Sequence, residues 1–181
     1  METRTEHDSL GELQVPSKAL YGIHTQRAIQ NFSLCKSPVR IELIKAIAEV
    51  KKSCALTHKQ LKNIPAEKTD AMISACDEII AGRHDKAFIT DALQGGAGTS
   101  TNMNVNEVIA NLASIKLGGK PGAESLVSPL DDVNHGQSTN DVYPTALRIA
   151  SIYLVRTLAD ELAKLQEALQ KKEQEFAGVL K

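Results

Sequence analysis

Hydroxyl and amide side chains gather at two places in this 181-residue chain. One is Gly95-Gly96-Ala97-Gly98-Thr99-Ser100-Thr101-Asn102-Met103-Asn104; the other is His135-Gly136-Gln137-Ser138-Thr139-Asn140-Asp141. Both look too small and too polar to be core, since every buried hydroxyl and amide needs a partner. Both suit a small anion. In the second, Thr139 or Asn140 stands where the N-cap of a long helix is expected. A helix start offers unpaired N–H groups and the positive end of the helix dipole. A carboxylate or phosphate is stabilised there, with Ser138, Thr139 and Asn140 adding side-chain donors. In the first cluster Gly95, Gly96 and Gly98 permit a tight backbone and close approach of a ligand, and Thr99, beside Gly98, has room to face it. Each cluster taken alone also has a plainer reading: a helix cap for one, a glycine-rich turn for the other.

Other chemistries find little support. No Lys-Ser/Thr pair follows the glycines, so they do not form a nucleotide phosphate-binding loop. No strand-turn-helix context surrounds them, which argues against a dinucleotide site. The histidines His7, His24, His58, His84 and His135 lack metal-ligand spacing, so no metal is expected. His58, on a Lys-rich stretch, reads as solvated; His135 adjoins the second cluster. No nucleophile elbow is present. Cys35, Cys54 and Cys76 are odd in number and widely spaced, as free thiols of a reducing compartment would be. Cys54 and Cys76 fall at apolar helical positions and read as small core residues.

A net charge of −1, with 42% hydrophobic and 24% charged residues, gives no reason to expect nucleic acid or an anionic membrane as partner. No apolar run reaches the ~20 residues that span a bilayer. The polar N-terminus has neither secretory nor transit character, so a cytoplasmic protein is expected.

The elements that must position the clusters are helical. The first forty residues read as irregular, with a short strand within Leu10 to Pro16. Helical periodicity runs from Arg40 to Leu61 through Ile41, Ile44, Ile47, Ala48, Val50 and Cys54. Pro65 opens a second helix that ends near Gly82. A third runs from about Asn104 through Val105, Val108, Ile109, Leu112 and Ile115 to Leu117, closed by Gly118-Gly119. A loop covers residues 120–133. The last helix extends from Asp141 to about Ala177, with Pro144 placed in its first turn, where a missing N–H does no harm.

That helix would be roughly 55 Å long, against a diameter near ~40 Å for a compact chain of this size. It must project from its own domain. Yet Leu147, Ala150, Leu154, Leu158, Leu162, Leu165 and Leu169, widened by Ile152 and Val155, form a stripe that needs partner helices. The fold class is mainly α, with a short irregular or strand start.

Taken together and in order, residues 95–107 (Gly-Gly-Ala-Gly-Thr-Ser-Thr-Asn-Met-Asn-Val-Asn-Glu) and 132–141 (Asp-Val-Asn-His-Gly-Gln-Ser-Thr-Asn-Asp) resemble the first two signature regions of the aspartase/fumarase superfamily. Arg4-Thr5-Glu6-His7-Asp8-Ser9-Leu10-Gly11-Glu12 and Tyr21-Gly22-Ile23-His24-Thr25 resemble the opening of the aspartate ammonia-lyases. Fumarases tend to carry Trp-Gly-Ala-Gln-Thr and Gly-Ser-Gly-Thr-Gln-Ser-Asn-Met-Asn in the corresponding places. Ala97 and Ser100-Thr101 fall on the aspartase side. The resemblance covers essentially the whole chain.

The resemblance implies reversible anti elimination of ammonia from L-aspartate to give fumarate, without a cofactor. It implies that Thr99, Ser138, Thr139 and Asn140 contact the carboxylates and amino group of the substrate, through hydrogen bonds that strengthen as charge builds on the β-carboxylate. It also implies a homotetramer whose active sites each draw on three subunits around a central bundle of long helices. The general base of the family is a serine in a Gly-Ser-Ser-x-Met-Pro loop far towards the C-terminus, a motif that does not occur in these 181 residues. Neither the Thr-His segment nor the Lys and Asn that follow that loop is present either.

No catalytic residue is therefore expected in this chain, which reads as a truncated N-terminal part, inactive alone. Residues 1–137 would form the N-terminal helical domain and residues 138–181 the first long helix of the bundle. Ser128-Pro129-Leu130-Asp131 departs from the His-Pro-Asn-Asp that fumarases link to a secondary dicarboxylate site. Two alternatives stand beside this one: a fumarate hydratase relative, and a non-catalytic helical assembly fragment.

Overall fold

A computed structural model describes residues 2–122 and 126–180. Residues 123–125, within the loop expected over 120–133, lie outside the described residues. The start is more regular than the sequence suggests. Strands β1 (Thr3–Asp8) and β2 (Gly11–Pro16) form an antiparallel hairpin, in register from Thr3 opposite Pro16 to Asp8 opposite Gly11. Gly11 adopts φ +109°, a conformation that favours glycine, and the Asp8 carboxylate accepts the Leu10 N–H at 2.9 Å. Arg4 ties the chain leaving the hairpin back to it, donating to the carbonyls of Pro16, Ser17, Ala19 and Tyr21.

Helix α1 (Ile23–Asn31) lies in a segment expected to be irregular. Its N-cap, Gly22, has no side chain to offer, and the cap comes from a distant residue instead. The buried Glu107 carboxylate accepts the N–H groups of Gly22 (2.9 Å), His24 (2.8 Å) and Thr25 (3.1 Å) and the Thr25 hydroxyl (2.6 Å). Glu6, from β1, takes the Ile23 N–H at 2.8 Å. Two carboxylates at a helix N-terminus satisfy its orphan donors and its dipole together. A Cβ at Gly22 would stand 2.8 Å from an oxygen of each, so a larger residue there would push the two carboxylates out of their capping positions.

Helices α2 (Ile41–Leu61) and α3 (Ala66–Ile80) match the expected periodic segments. Helix α4 spans Thr99–Lys116 and α5 spans Thr139–Glu175. The core lies between α2, α3 and α4, with Ile44, Ile47, Met72, Ala75, Ile79, Val105, Val108 and Ile109 in its centre. Cys76 joins it, Cys54 is half-buried and Cys35 is exposed, all three as free thiols.

The structure differs from expectation at the starts of α4 and α5. Helix α4 begins at Thr99 rather than near Asn104, so most of the first polar cluster is helical, and Thr101, Asn102 and Asn104 are buried. Core placement is possible because each finds partners across the fold. The N-cap of α5 is Ser138, not Thr139 or Asn140: its Oγ accepts the Asn140 N–H at 3.2 Å. Pro144 therefore sits in the second turn of α5. Its absent N–H releases the Asn140 carbonyl from the helix ladder without ending the helix.

Helix α5 has 37 residues and is about 55 Å long. It buries only Val142, Ala146 and Ala150 against the rest of the chain. Every described residue beyond Ala150 is exposed, including Leu154, Leu158, Leu162, Leu165 and Leu169. The fold class is mainly α with a two-stranded start.

Candidate active site

The two polar clusters meet in space. The first is a loop in which Gly96 and Gly98 take φ +76° and +85°. Gly98 is the N-cap of α4, and a Cβ there would lie 2.3 Å from the Tyr143 ring of α5. Glycine is thus required both for the backbone conformation and for the close approach of the two helix starts. Gln94 braces the loop from below: its amide nitrogen donates to the Asp91 carbonyl (2.9 Å) and the Thr101 hydroxyl (2.8 Å), while its oxygen accepts the Thr101 N–H (3.1 Å). Asp91 in turn accepts three backbone N–H groups, of Cys35, Lys36 and Leu93. Its carboxyl is held down to about 2, chiefly by the Cys35 thiol and then by those N–H groups.

Thr99 is exposed in the first turn of α4. Ser138 and Asn140 are exposed and Thr139 is half-buried at the start of α5. The join between the clusters is Asn102, whose Nδ2 donates to Thr139 Oγ1 at 3.1 Å. All four residues anticipated from sequence thus sit at the starts of two adjoining helices, with Thr99, Ser138 and Asn140 at the surface. Ser138 uses its oxygen as an acceptor in the cap, which leaves its proton available to a ligand.

A second layer of residues holds the 132–139 segment and was not anticipated. Lys51, on α2, is buried, and its ammonium donates to Asn134 Oδ1 at 2.8 Å. Asn102 and Asn106 donate to the same oxygen, at 3.2 and 3.1 Å. Asn134 Nδ2 donates to the Gln137 carbonyl at 3.1 Å. Burial, with no carboxylate alongside, pushes the Lys51 ammonium down to about 8.

His58 is not simply solvated. Its Nε2 donates to the His135 carbonyl at 3.0 Å, and the two imidazoles pack edge to face at 4.9 Å. A five-residue π-helical turn, Pro129–Val133, leads into the segment; Ser128 caps it and Asp132 ties it to Lys68 at 2.8 Å. One signal for Lys51 was present in the sequence. It continues the buried face Ile44, Ile47, Ala48 and Ala55 of α2, and a charge on an apolar stripe calls for a partner. Asn134 carried no such signal, because its partners come from two other helices.

A family model described as lyase matches residues 11–181. The chain is 44% identical over 182 aligned positions to the fumarate hydratase class II of Ralstonia nicotianae, taking in 100% of this chain and 40% of that protein. It is 45% identical over 181 positions to the aspartate ammonia-lyase of Corynebacterium glutamicum, taking in 98% of this chain and 34% of that one. The chain belongs to the fumarase/aspartase lyase superfamily. Its structure is similar to that of a fumarate lyase:delta crystallin from Brucella melitensis, with a TM-score of 0.97 and 46% identity, covering 98% of this chain and 42% of that chain. The chain therefore spans about two-fifths or less of the length of these lyases, and the match lies in their N-terminal portion. No helix among the described residues is long and apolar enough to cross a membrane.

Proposed function

We propose that this chain is the N-terminal part of an aspartate ammonia-lyase, which removes ammonia from L-aspartate by anti elimination to give fumarate. The observation that carries the proposal is the junction of the two polar clusters through Asn102 and Thr139. It gathers Thr99, Ser138, Thr139 and Asn140 at two helix starts, a setting that favours carboxylates. In the elimination a proton leaves the carbon beside the β-carboxylate, and negative charge accumulates on that carboxylate. Hydroxyl and amide donors fixed beforehand stabilise the charge as it develops. Ala97 in the glycine-rich loop and Ser100-Thr101 in the first turn of α4 favour the aspartase over the fumarate hydratase, whose named relatives are equally similar. Residues 1–137 act as the N-terminal helical domain, which supplies Thr99 to the site. Residues 138–181 act as a bundle helix, and the exposed leucine stripe of α5 supports assembly with further copies. The base resides outside these 181 residues, so the chain alone is inactive.

Joining the chain to the C-terminal portion of an aspartate ammonia-lyase relative and following fumarate absorbance tests this. The joined enzyme should form fumarate from L-aspartate, and the 181-residue chain should not. Faster turnover of L-malate than of L-aspartate would overturn the substrate assignment in favour of a fumarate hydratase.

A further inference from the structure

Lys51 is the only lysine or arginine buried among the described residues, and its surroundings have a definite polarity. An ammonium can only donate. Because Lys51 Nζ lies 2.8 Å from the Asn134 side chain, the atom facing it must be the amide oxygen. The nitrogen of Asn134 then faces the Gln137 carbonyl, where a donor is required. With the Asn134 oxygen fixed, the neighbouring end of Asn102 must be its NH2 group, at 3.2 Å. The same NH2 also reaches Thr139 Oγ1, at 3.1 Å. On that inner side Thr139 is an acceptor, and its own proton is directed elsewhere. In this orientation Asn102 Oδ1 and Asn106 Oδ1 are buried without a partner, and unpaired buried carbonyls are destabilising.

We propose that Lys51 is a positioning residue for the anion site: acting through Asn134 and Asn102, its ammonium makes Thr139 a hydrogen-bond donor towards an anionic oxygen. The proposal rests on Thr139 being a carboxylate-binding residue, as argued above. It also explains why a lysine occupies an apolar helix face with no carboxylate to pair with. The facing titratable groups are the thiols of Cys54 on α2 and Cys76 on α3. Burial pushes both upwards, Cys76 to about 12, so both stay neutral while Lys51 titrates. The α4 residues Asn102 and Asn106, and Asn134 beside them, contribute only neutral amides. Above about 8 the Lys51 amine is neutral, and its hydrogen bond to Asn134 loses the strengthening that the charge supplies, while the Gln137 carbonyl keeps the Asn134 nitrogen in place.

NMR of the 181-residue chain and its Lys51 variants tests the relay. The side-chain amide resonances of Asn102 and Asn134 should shift together with the Lys51 Nζ resonance as pH rises through about 8. In Lys51→Met and Lys51→Arg that shared step should vanish, and in Lys51→Arg the amides should keep their low-pH positions. Amides that ignore the Lys51 titration, or a step that survives in Lys51→Met, would overturn the proposal. In the joined enzyme, Lys51→Met should raise KM for L-aspartate about tenfold, the loss of one well-oriented hydrogen bond. It should also remove the alkaline limb of kcat/KM near pH 8, and Lys51→Arg should restore the KM. An unchanged KM with the limb intact would also overturn it. If the wild-type joined enzyme binds no fumarate, the carboxylate reading of the site fails, and the amide titration alone then decides whether Lys51 sets the polarity of Thr139.

Discussion

At the scale of single residues, the site depends on hydroxyls whose oxygens are already engaged. Thr139 accepts from Asn102 and Ser138 accepts from the Asn140 N–H, so both keep a proton to give. Thr139→Val should lower kcat of the joined enzyme by about 10²–10³-fold, the usual loss when one preorganised donor is removed, measured by fumarate formation. A change within twofold would show that Thr139 does not touch the developing charge. Lys51 carries a second prediction. Its folded-state value of about 8 lies below the ordinary 10.5. The unfolded chain therefore binds more protons between those values, and stability rises with pH across that window. The full effect is roughly 3 kcal/mol. Urea denaturation from neutral to alkaline pH should show the rise in the wild type and not in Lys51→Met, which should be the more stable of the two at pH 7.

The elements are held together by groups that reach across the fold. Helix α1 exists where its own sequence supplies no cap because Glu107 of α4 and Glu6 of β1 supply one. The starts of α4 and α5 adjoin because Gly98 leaves room for the Tyr143 ring. Gly98→Ala should strain a backbone at φ +85° and push against that ring. We expect a loss of about 1–3 kcal/mol, typical of overpacking, read as a lower urea midpoint, with activity of the joined enzyme reduced as the two clusters separate.

The hairpin is docked by Asp8, whose carboxylate pairs with Arg27 at 2.8 Å. The Arg27 guanidinium holds Asp8 down to about 2, from the ordinary 3.8. A depressed carboxylate stabilises the fold above its unfolded value, and that contribution is lost as pH falls from about 3.8 through about 2. Carboxyl carbon NMR should find Asp8 titrating near 2, with the hairpin released from α1 as it protonates. Titration at the ordinary value would show that the pair does not form in solution.

At the scale of the whole molecule, α5 presents beyond Ala150 an apolar stripe that no other described residue covers. Leu158, Leu162 and Leu165 are each more than half exposed, and helices with such stripes bury them against partners. The 181-residue chain should therefore self-associate in sedimentation velocity. Leu158→Gln combined with Leu162→Gln should shift it towards monomer while far-UV circular dichroism stays unchanged. A wild-type monomer at high concentration would remove the basis for assembly through this helix. Completion of the active site belongs to the same scale, since Thr99, Ser138 and Asn140 lie on an exposed face and the proposed base is carried elsewhere.

The sequence by itself determined what depends on neighbours a few positions apart. The 3.6-residue periodicity of α2 and α3, the proline and glycine boundaries and the long stripe of α5 are of this kind. So are the two polar clusters, because capping and glycine-rich turns are local chemistry. The tertiary structure alone decided the rest. Thr101, Asn102 and Asn104 are buried because their amide and hydroxyl partners lie on other segments. Helix α1 is capped by a residue 85 positions from Gly22, and Asn134 is held by an ammonium 83 positions away. A buried polar group is tolerated only where its partner arrives in space, and no local pattern records which partner that will be.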